Sequence, residues 1–290
     1  MAYLNPTQTA RPDFIWPVFR FMAVQRGGIS QRRIIAFTAP GSLGAGDSDV
    51  VMSLRTLGEL GFLESQGRGD EASWTLGAMG KGIAVDDYAM FQKRLRSALF
   101  ASFGPDGRDL ADSPAADLIR VLCWFLKSDP HTEFATLASV QTDKTWPSDI
   151  ASNDTRWGAF QSWGAATGLT ASAPHAASAC IADCAAAVRQ ALEELLDPGQ
   201  EKEALEVLRG LRVLIPVLPG GSLSEAFGFR HESELEAGSA LSFALRRWDI
   251  EGWLKLDLRS DSKTQIKLFT PDSDFSLLYS TVKRLESAGA

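Results

Sequence analysis

Leu54-Arg55-Thr56-Leu57-Gly58-Glu59-Leu60-Gly61-Phe62-Leu63-Glu64-Ser65 runs an amphipathic helix into a glycine and then directly into a strand. Apolar side chains stand seven and four positions before Gly61, which places them on one helical stripe, and the period then shifts toward two. The string recurs. Leu245-Arg246-Arg247-Trp248-Asp249-Ile250-Glu251-Gly252-Trp253-Leu254-Lys255-Leu256 repeats it with the same spacing. Phe160-Gln161-Ser162-Trp163-Gly164-Ala165-Ala166-Thr167-Gly168-Leu169-Thr170-Ala171 is a looser copy, with one extra residue between stripe and glycine. Glycine has a physical reason to stand there, because a helix often ends in a left-handed residue that only glycine adopts without a steric penalty.

What flanks each string sets the expected architecture. After the first, Phe62–Gln66 and Ala72–Leu76 read as a hairpin around Gly67-Arg68-Gly69-Asp70. Before it, helices are predicted from Asp13 to about Gln25 and from Ser30 to Ala39, with Ser30 as N-cap and a turn over Pro40–Gly46. Before the last string, Glu201–Leu214 and Leu223–Phe227 are the candidate helices; after it, Trp253–Leu258 and Thr264–Phe269 form the candidate hairpin. In the middle region, helices are predicted at Pro114–Lys127, Glu133–Gln141 and Asn153–Thr167, followed by a weak wing of Leu169–Ser172 with Cys180–Ala182. A degenerate copy and a plain helical spacer both fit that region.

The expected fold is mainly α with small antiparallel β-hairpins, arranged as tandem winged helix-turn-helix domains. Its units are residues 1–105, 106–196 (helical or degenerate) and 197–290.

At 290 residues with 45% hydrophobic and 22% charged side chains, the chain suits two or three globular units. No apolar run is long enough for a membrane span, and the N-terminus lacks the pattern of a secretory signal. The three cysteines, Cys123, Cys180 and Cys184, suit a reducing compartment, so a cytoplasmic protein is expected. The net charge of −7 argues against coating nucleic acid by charge alone, but it is uneven: +2 over residues 1–100, −4 over 101–180 and −5 over 181–290. The first unit is the least handicapped for DNA.

A winged helix can place its third helix in the major groove and its wing against phosphates. With Val50, Val51, Leu54 and Leu57 facing inward, Asp49, Ser53, Arg55 and Thr56 are expected outward, with Arg68 at the wing tip. With Leu241, Leu245 and Trp248 inward, Ser239, Ser242, Arg246 and Arg247 are expected outward, with Arg259 and Lys263 on the wing. Ser53, Arg55, Thr56, Arg68, Arg246, Arg247, Arg259 and Lys263 are therefore the candidate contacts to double-stranded DNA. Against this, exposed arginines often only keep a surface soluble, and Asp49, Glu59, Asp70 and Glu71 would repel phosphates.

No catalytic, metal or cofactor site is expected. Gly77-Ala78-Met79-Gly80-Lys81-Gly82 has Thr75 where a phosphate loop needs its first glycine, and neither Ser nor Thr follows Lys81. Cys180, Cys184 and His175 lack a fourth neighbouring ligand. The helix Asp86–Phe100, with Lys93, Arg94 and Arg96 on one side and Met90, Phe91 and Leu95 elsewhere, suggests a homodimer contact or packing against the next unit.

Leu4-Asn5-Pro6 leading into Phe14-Ile15-Trp16-Pro17-Val18-Phe19-Arg20, the Pro40–Gly46 turn and the Leu54–Phe62 string together resemble the DpdG family of accessory proteins. Members of that family are encoded in bacterial gene clusters that insert 7-deazaguanine derivatives into DNA and restrict unmodified phage DNA. The resemblance implies a non-enzymatic member of a DNA-modification or defence complex, partnered by the other proteins of that complex, and it carries over no catalytic residue. Three roles stay open: an adaptor touching DNA and proteins, a winged-helix transcription regulator, and a purely protein-binding subunit like those that clasp kleisins.

Overall fold

A computed structural model describes residues 2–5, 7, 10–39, 47–103, 110, 113–271 and 277–286. The chain forms two compact units, the first comprising residues 1–104, 112–118 and 153–167, the second residues 105–111, 119–152 and 168–290. The architecture mixes helices with small antiparallel sheets. The expected Pro40–Gly46 turn lies outside the described residues.

The first run along the chain is α1 (Pro12–Ala23), β1 (Ile29–Ser30), α2 (Gln31–Thr38), α3 (Asp47–Glu59), β2 (Leu63–Gln66), β3 (Ser73–Leu76) and α4 (Tyr88–Ala101). Ile15, Val18, Phe19 and Met22 put one buried stripe on α1. Phe19 meets Phe62 and Phe91 at ring-centroid distances of 5.7 and 4.9 Å, and all three rings are fully buried. β3 is central in its sheet: Trp74 stands opposite Ile29 of β1 on one side and Ser65 of β2 on the other. Ser30 occupies the position before α2, but its hydroxyl makes no capping bond.

Next come α5 (Ala116–Phe125), α6 (Leu137–Val140), α7 (Asp154–Ala166), β4 (Ala171–Ser172) and β5 (Cys180–Ile181). The helix expected over Glu133–Gln141 shrinks to α6, because Phe134 is spent on a backbone bridge to Cys180. β5 is thus flanked by Phe134 and by β4. Both strands are two residues long, and the cluster behind them is Ala173, Ala179 and Ile181, side chains with little area to bury.

In the first unit α4 anchors the end of α7. Arg96, 4% exposed, donates from Nη1 to the Thr167 carbonyl at 2.8 Å, and the Gln92 amide donates to the Ala165 carbonyl at 3.2 Å. Carbonyls at a helix C-terminus lack intrahelical donors and carry partial negative charge, so a guanidinium suits them. The helix expected over Asp86–Phe100 thus packs against α7, within the 106–196 stretch that the sequence sets as the next unit. The N-terminal arm is tied down as well: the Tyr3 and Leu4 N–H groups donate to the Asp117 carboxylate at 3.0 and 2.7 Å. Burial pushes the Asp117 carboxyl up despite these donors.

The last run is α8 (Ala185–Leu195), β6 (Glu201–Glu203), α9 (Ala204–Leu214), α10 (Ser222–Ala226), α11 (Ser239–Ile250), β7 (Leu254–Asp257), β8 (Ile266–Leu268), β9 (Leu277–Tyr279) and β10 (Thr281–Arg284). Two expectations are corrected here. Glu201–Glu203 is a strand rather than the first turn of a helix, because its backbone pairs with β10. Trp253–Leu258 does not pair with Thr264–Phe269: β7 pairs with β10, and β8 pairs with β9 as a separate hairpin inserted between them. β10 is central, with Val282 opposite Lys202 and Leu256.

In each run the last strand lies between the strand or bridge that precedes the second helix and the strand that follows the glycine. Gly61, Gly168 and Gly252 have φ of +75°, +70° and +71°. The N–H of Phe62 donates to Leu57 and that of Trp253 to Trp248, the six-residue closure that satisfies a terminal helix carbonyl.

Candidate functional site

The outward faces differ from those read in the sequence. Ser53 and Thr56 are fully buried. α3 packs against both α1 and α2, so its buried arc is wider than one apolar stripe. The Ser53 hydroxyl donates to the Asp49 carbonyl at 2.7 Å, the usual way a small polar residue is satisfied inside a helix. Thr56 Oγ1 accepts the N–H of Ala10 from the N-terminal arm at 3.2 Å. Neither can touch a ligand. Arg55 is exposed, and its charge opposes the upward shift that burial imposes on the Glu59 carboxyl one turn away.

Ser239 and Ser242 are buried too. Ser239 Oγ lies 2.7 and 2.9 Å from the carbonyls of Ser128 and Lys127, while Ser242 Oγ donates to Gly238 and accepts the N–H of Phe269 at 2.8 Å. Arg247 is held by Asp183 at 3.2 Å and Glu251 at 2.9 Å, and Arg259 by Glu201. Arg246 is half-buried and Lys263 exposed. Other cations of this region are also engaged, as in Arg209 with Glu234, Lys255 with Asp257 and Lys267 with Glu236.

The first unit holds a different arrangement, which the focus on third helices missed. Residues 14–46 contain Arg20, Arg26, Arg32 and Arg33 and no Asp or Glu, and this run without an acid was the signal available in the sequence. Arg32 and Arg33 are exposed on the first turn of α2, and Arg26 is exposed in the loop entering β1. The Gln31 N–H donates to the Ala72 carbonyl at 2.9 Å and its side-chain amide to Asp70 at 3.4 Å, so the first turn of α2 abuts the 3-10 turn Gly69–Glu71. Arg68, exposed, immediately precedes that turn. Among the described residues none of Arg26, Arg32, Arg33 and Arg68 has an ion-pair partner, and Asp70 and Glu71 are the acids beside them. Four guanidiniums on adjoining elements can each donate to a phosphate oxygen.

Other sequence candidates do not assemble. Gly77–Gly82 packs beneath β2: the Gly77 N–H donates to Phe62, and a Cβ on Gly77 would stand 2.4 Å from the Gly61 carbonyl oxygen. Close backbone approach explains that glycine. Cys123, Cys180 and Cys184 are buried thiols, whereas His175 is exposed. Among the described residues no group of His, Cys, Asp and Glu has the geometry to hold a metal, and no helix is long and apolar enough to cross a membrane.

A family model described as DpdG-like matches residues 1–262. No curated protein and no solved structure matches the chain.

Proposed function

The chain belongs to the DpdG-like family, and from that premise we propose that it is a non-catalytic winged-helix adaptor of a bacterial DNA-modification or anti-phage defence assembly. Support for the winged-helix reading comes from the three-fold recurrence of one strand order, with the last strand central, after a helix ended by a left-handed glycine. The DNA contact rests on one observation: Arg26, Arg32, Arg33 and Arg68 stand exposed on adjoining elements of the first unit and, among the described residues, without carboxylate partners. Such a face recognises phosphates, so it holds the duplex without reading its sequence.

In the last run Arg247 and Arg259 already face carboxylates of their own unit, so the duplex contact is assigned to the first unit and the last run is left to partner proteins. One face for the duplex and another for partner proteins is what an adaptor needs. The test is fluorescence anisotropy of a labelled duplex of roughly two helical turns against salt. Saturable binding at low salt that weakens steeply as salt rises is the expected result. A chain that binds no duplex even at low salt would leave the purely protein-binding reading in its place.

A further inference from the structure

Opposite the buried stripe of α1, Trp16, Arg20, Phe21 and the C-cap residue Val24 fall on one outward arc. On α2, Arg33 and Phe37 stand one turn apart and both are exposed. The rings join the two helices: Phe21 and Phe37 stack at a centroid distance of 5.7 Å and an interplanar angle of 24°. Phe21 is half-buried, whereas Phe37 is 63% exposed and Val24 59%. So much apolar area left in water forgoes the usual gain from burial. On the same arc the Arg20 guanidinium lies 5.8 Å from the ring centroid of the half-buried Trp16. Aromatic rings and guanidiniums are thus interleaved across the exposed faces of α1 and α2.

Charge and continuity select what covers these rings. Residues 14–46 hold no carboxylate, and among the described residues neither Arg20 nor Arg33 has a carboxylate partner. Asp13, at the head of α1, is taken by Arg11 at 2.7 Å. Asp70 lies beside Gln31, at the other end of α2 and about 9 Å along the helix from Phe37. Asp47 and Asp49 sit on the first turn of α3, where the positive end of that helix offsets their charge. Arg33 also belongs to the arginine face assigned to duplex phosphates, so the rings continue that face. In a duplex the bases are stacked away from such rings; an unpaired strand offers both phosphates for the guanidiniums and free base planes for the aromatics.

We propose that this surface takes an unpaired DNA strand leaving the duplex held by Arg26, Arg32, Arg33 and Arg68. A base stacks on Phe37, which Phe21 braces, and Arg20 meets the phosphates of the strand. The inference rests on the duplex reading of the same face and adds to it a preference for junctions between double and single strand.

Fluorescence anisotropy of the full chain tests this with three labelled DNAs: a blunt duplex, the same duplex with a single-stranded tail of about ten thymidines, and the tailed duplex with abasic sites in place of the thymidines. Abasic sites keep the phosphates and so separate stacking from charge. The thymidine tail should bind about fivefold or more tightly than the abasic tail, the lower end of what one stacked base contributes. Phe37→Ala should abolish most of that difference with blunt-duplex affinity unchanged, and Phe37→Trp should retain it, thermal unfolding reporting that both variants fold. Equal affinity for thymidine and abasic tails, or a difference indifferent to Phe37→Ala, would overturn the proposal and leave the duplex reading standing. A preference for the thymidine tail that depends on Phe37, without any binding of the blunt duplex, would remove the duplex reading alone. A dimer that Phe37→Ala dissociates in sedimentation velocity, with no preference for the thymidine tail, would assign the rings to a second copy of the chain and overturn the proposal. No binding of any of the three DNAs would remove both readings.

Discussion

Replacing Arg32 and Arg33 with glutamine removes two of the four exposed guanidiniums beside the 3-10 turn at the hairpin tip without touching a buried side chain. Each phosphate neutralised on duplex DNA contributes about −0.9 to the slope of log affinity against log salt. Four contacts, from Arg26, Arg32, Arg33 and Arg68, give a slope of about −3.6, so affinity should fall roughly 150-fold between about 50 and 200 mM salt. With two contacts left the slope is about −1.8 and the same change of salt costs only about 12-fold. Fluorescence anisotropy of one labelled duplex across that range reads both slopes directly. Asp70 and Glu71 lower absolute affinity in both proteins, but they release no counterions, so the difference in slope remains. Equal slopes for the two proteins would refute the assignment of this face, whatever the change in affinity at a single salt concentration.

Gly252→Ala should destabilise the second unit by about 1–2 kcal/mol, because φ there is +71° while nothing stands within 4 Å of the added Cβ; thermal unfolding measures this, and an unchanged midpoint would contradict it. Gly158→Ala, inside α7 and equally uncrowded, should instead stabilise by about 0.5–1 kcal/mol. Arg212, buried, donates to the carbonyls of Pro219, Glu234 and Glu236 at 2.9, 3.0 and 2.8 Å, so Arg212→Met should cost roughly 3 kcal/mol or more in urea unfolding. A loss under about 1 kcal/mol would show those carbonyls satisfied otherwise. Burial raises the Asp117 carboxyl above its ordinary 3.8, so the folded state binds the proton more tightly than the unfolded state and stability from this group is lost as pH rises through that window. Relative to Asp117→Asn, the wild type should therefore be most favoured at acidic pH, and a difference independent of pH would contradict the shift.

Local chemistry made the repeated glycine-ended helix legible. The positive φ of Gly61, Gly168 and Gly252 follows from stripe, stop and strand within a dozen residues. Features set by distant partners were not legible. Thr56 and Ser239 read as exposed because their neighbours are hydroxyl-tolerant helix surface, yet Ala10 covers one and the Lys127–Ser128 carbonyls take the other. β7 found its partner in β10 across an inserted hairpin, whereas alternation alone offers the nearest strand. Arg32 and Arg33 sit in a helix read only for its cap and apolar residues; what marks them is the absence of acids over residues 14–46, a property of a long window rather than of any motif.

Amide hydrogen exchange of the full chain with and without saturating duplex locates the DNA contact directly. Protection should appear in the segments 26–36 and 64–72, with 243–263 unchanged. Protection confined to 243–263, or the same exchange everywhere with the duplex bound, would contradict the division of roles between the arginine face of the first unit and the ion-paired surface of the second.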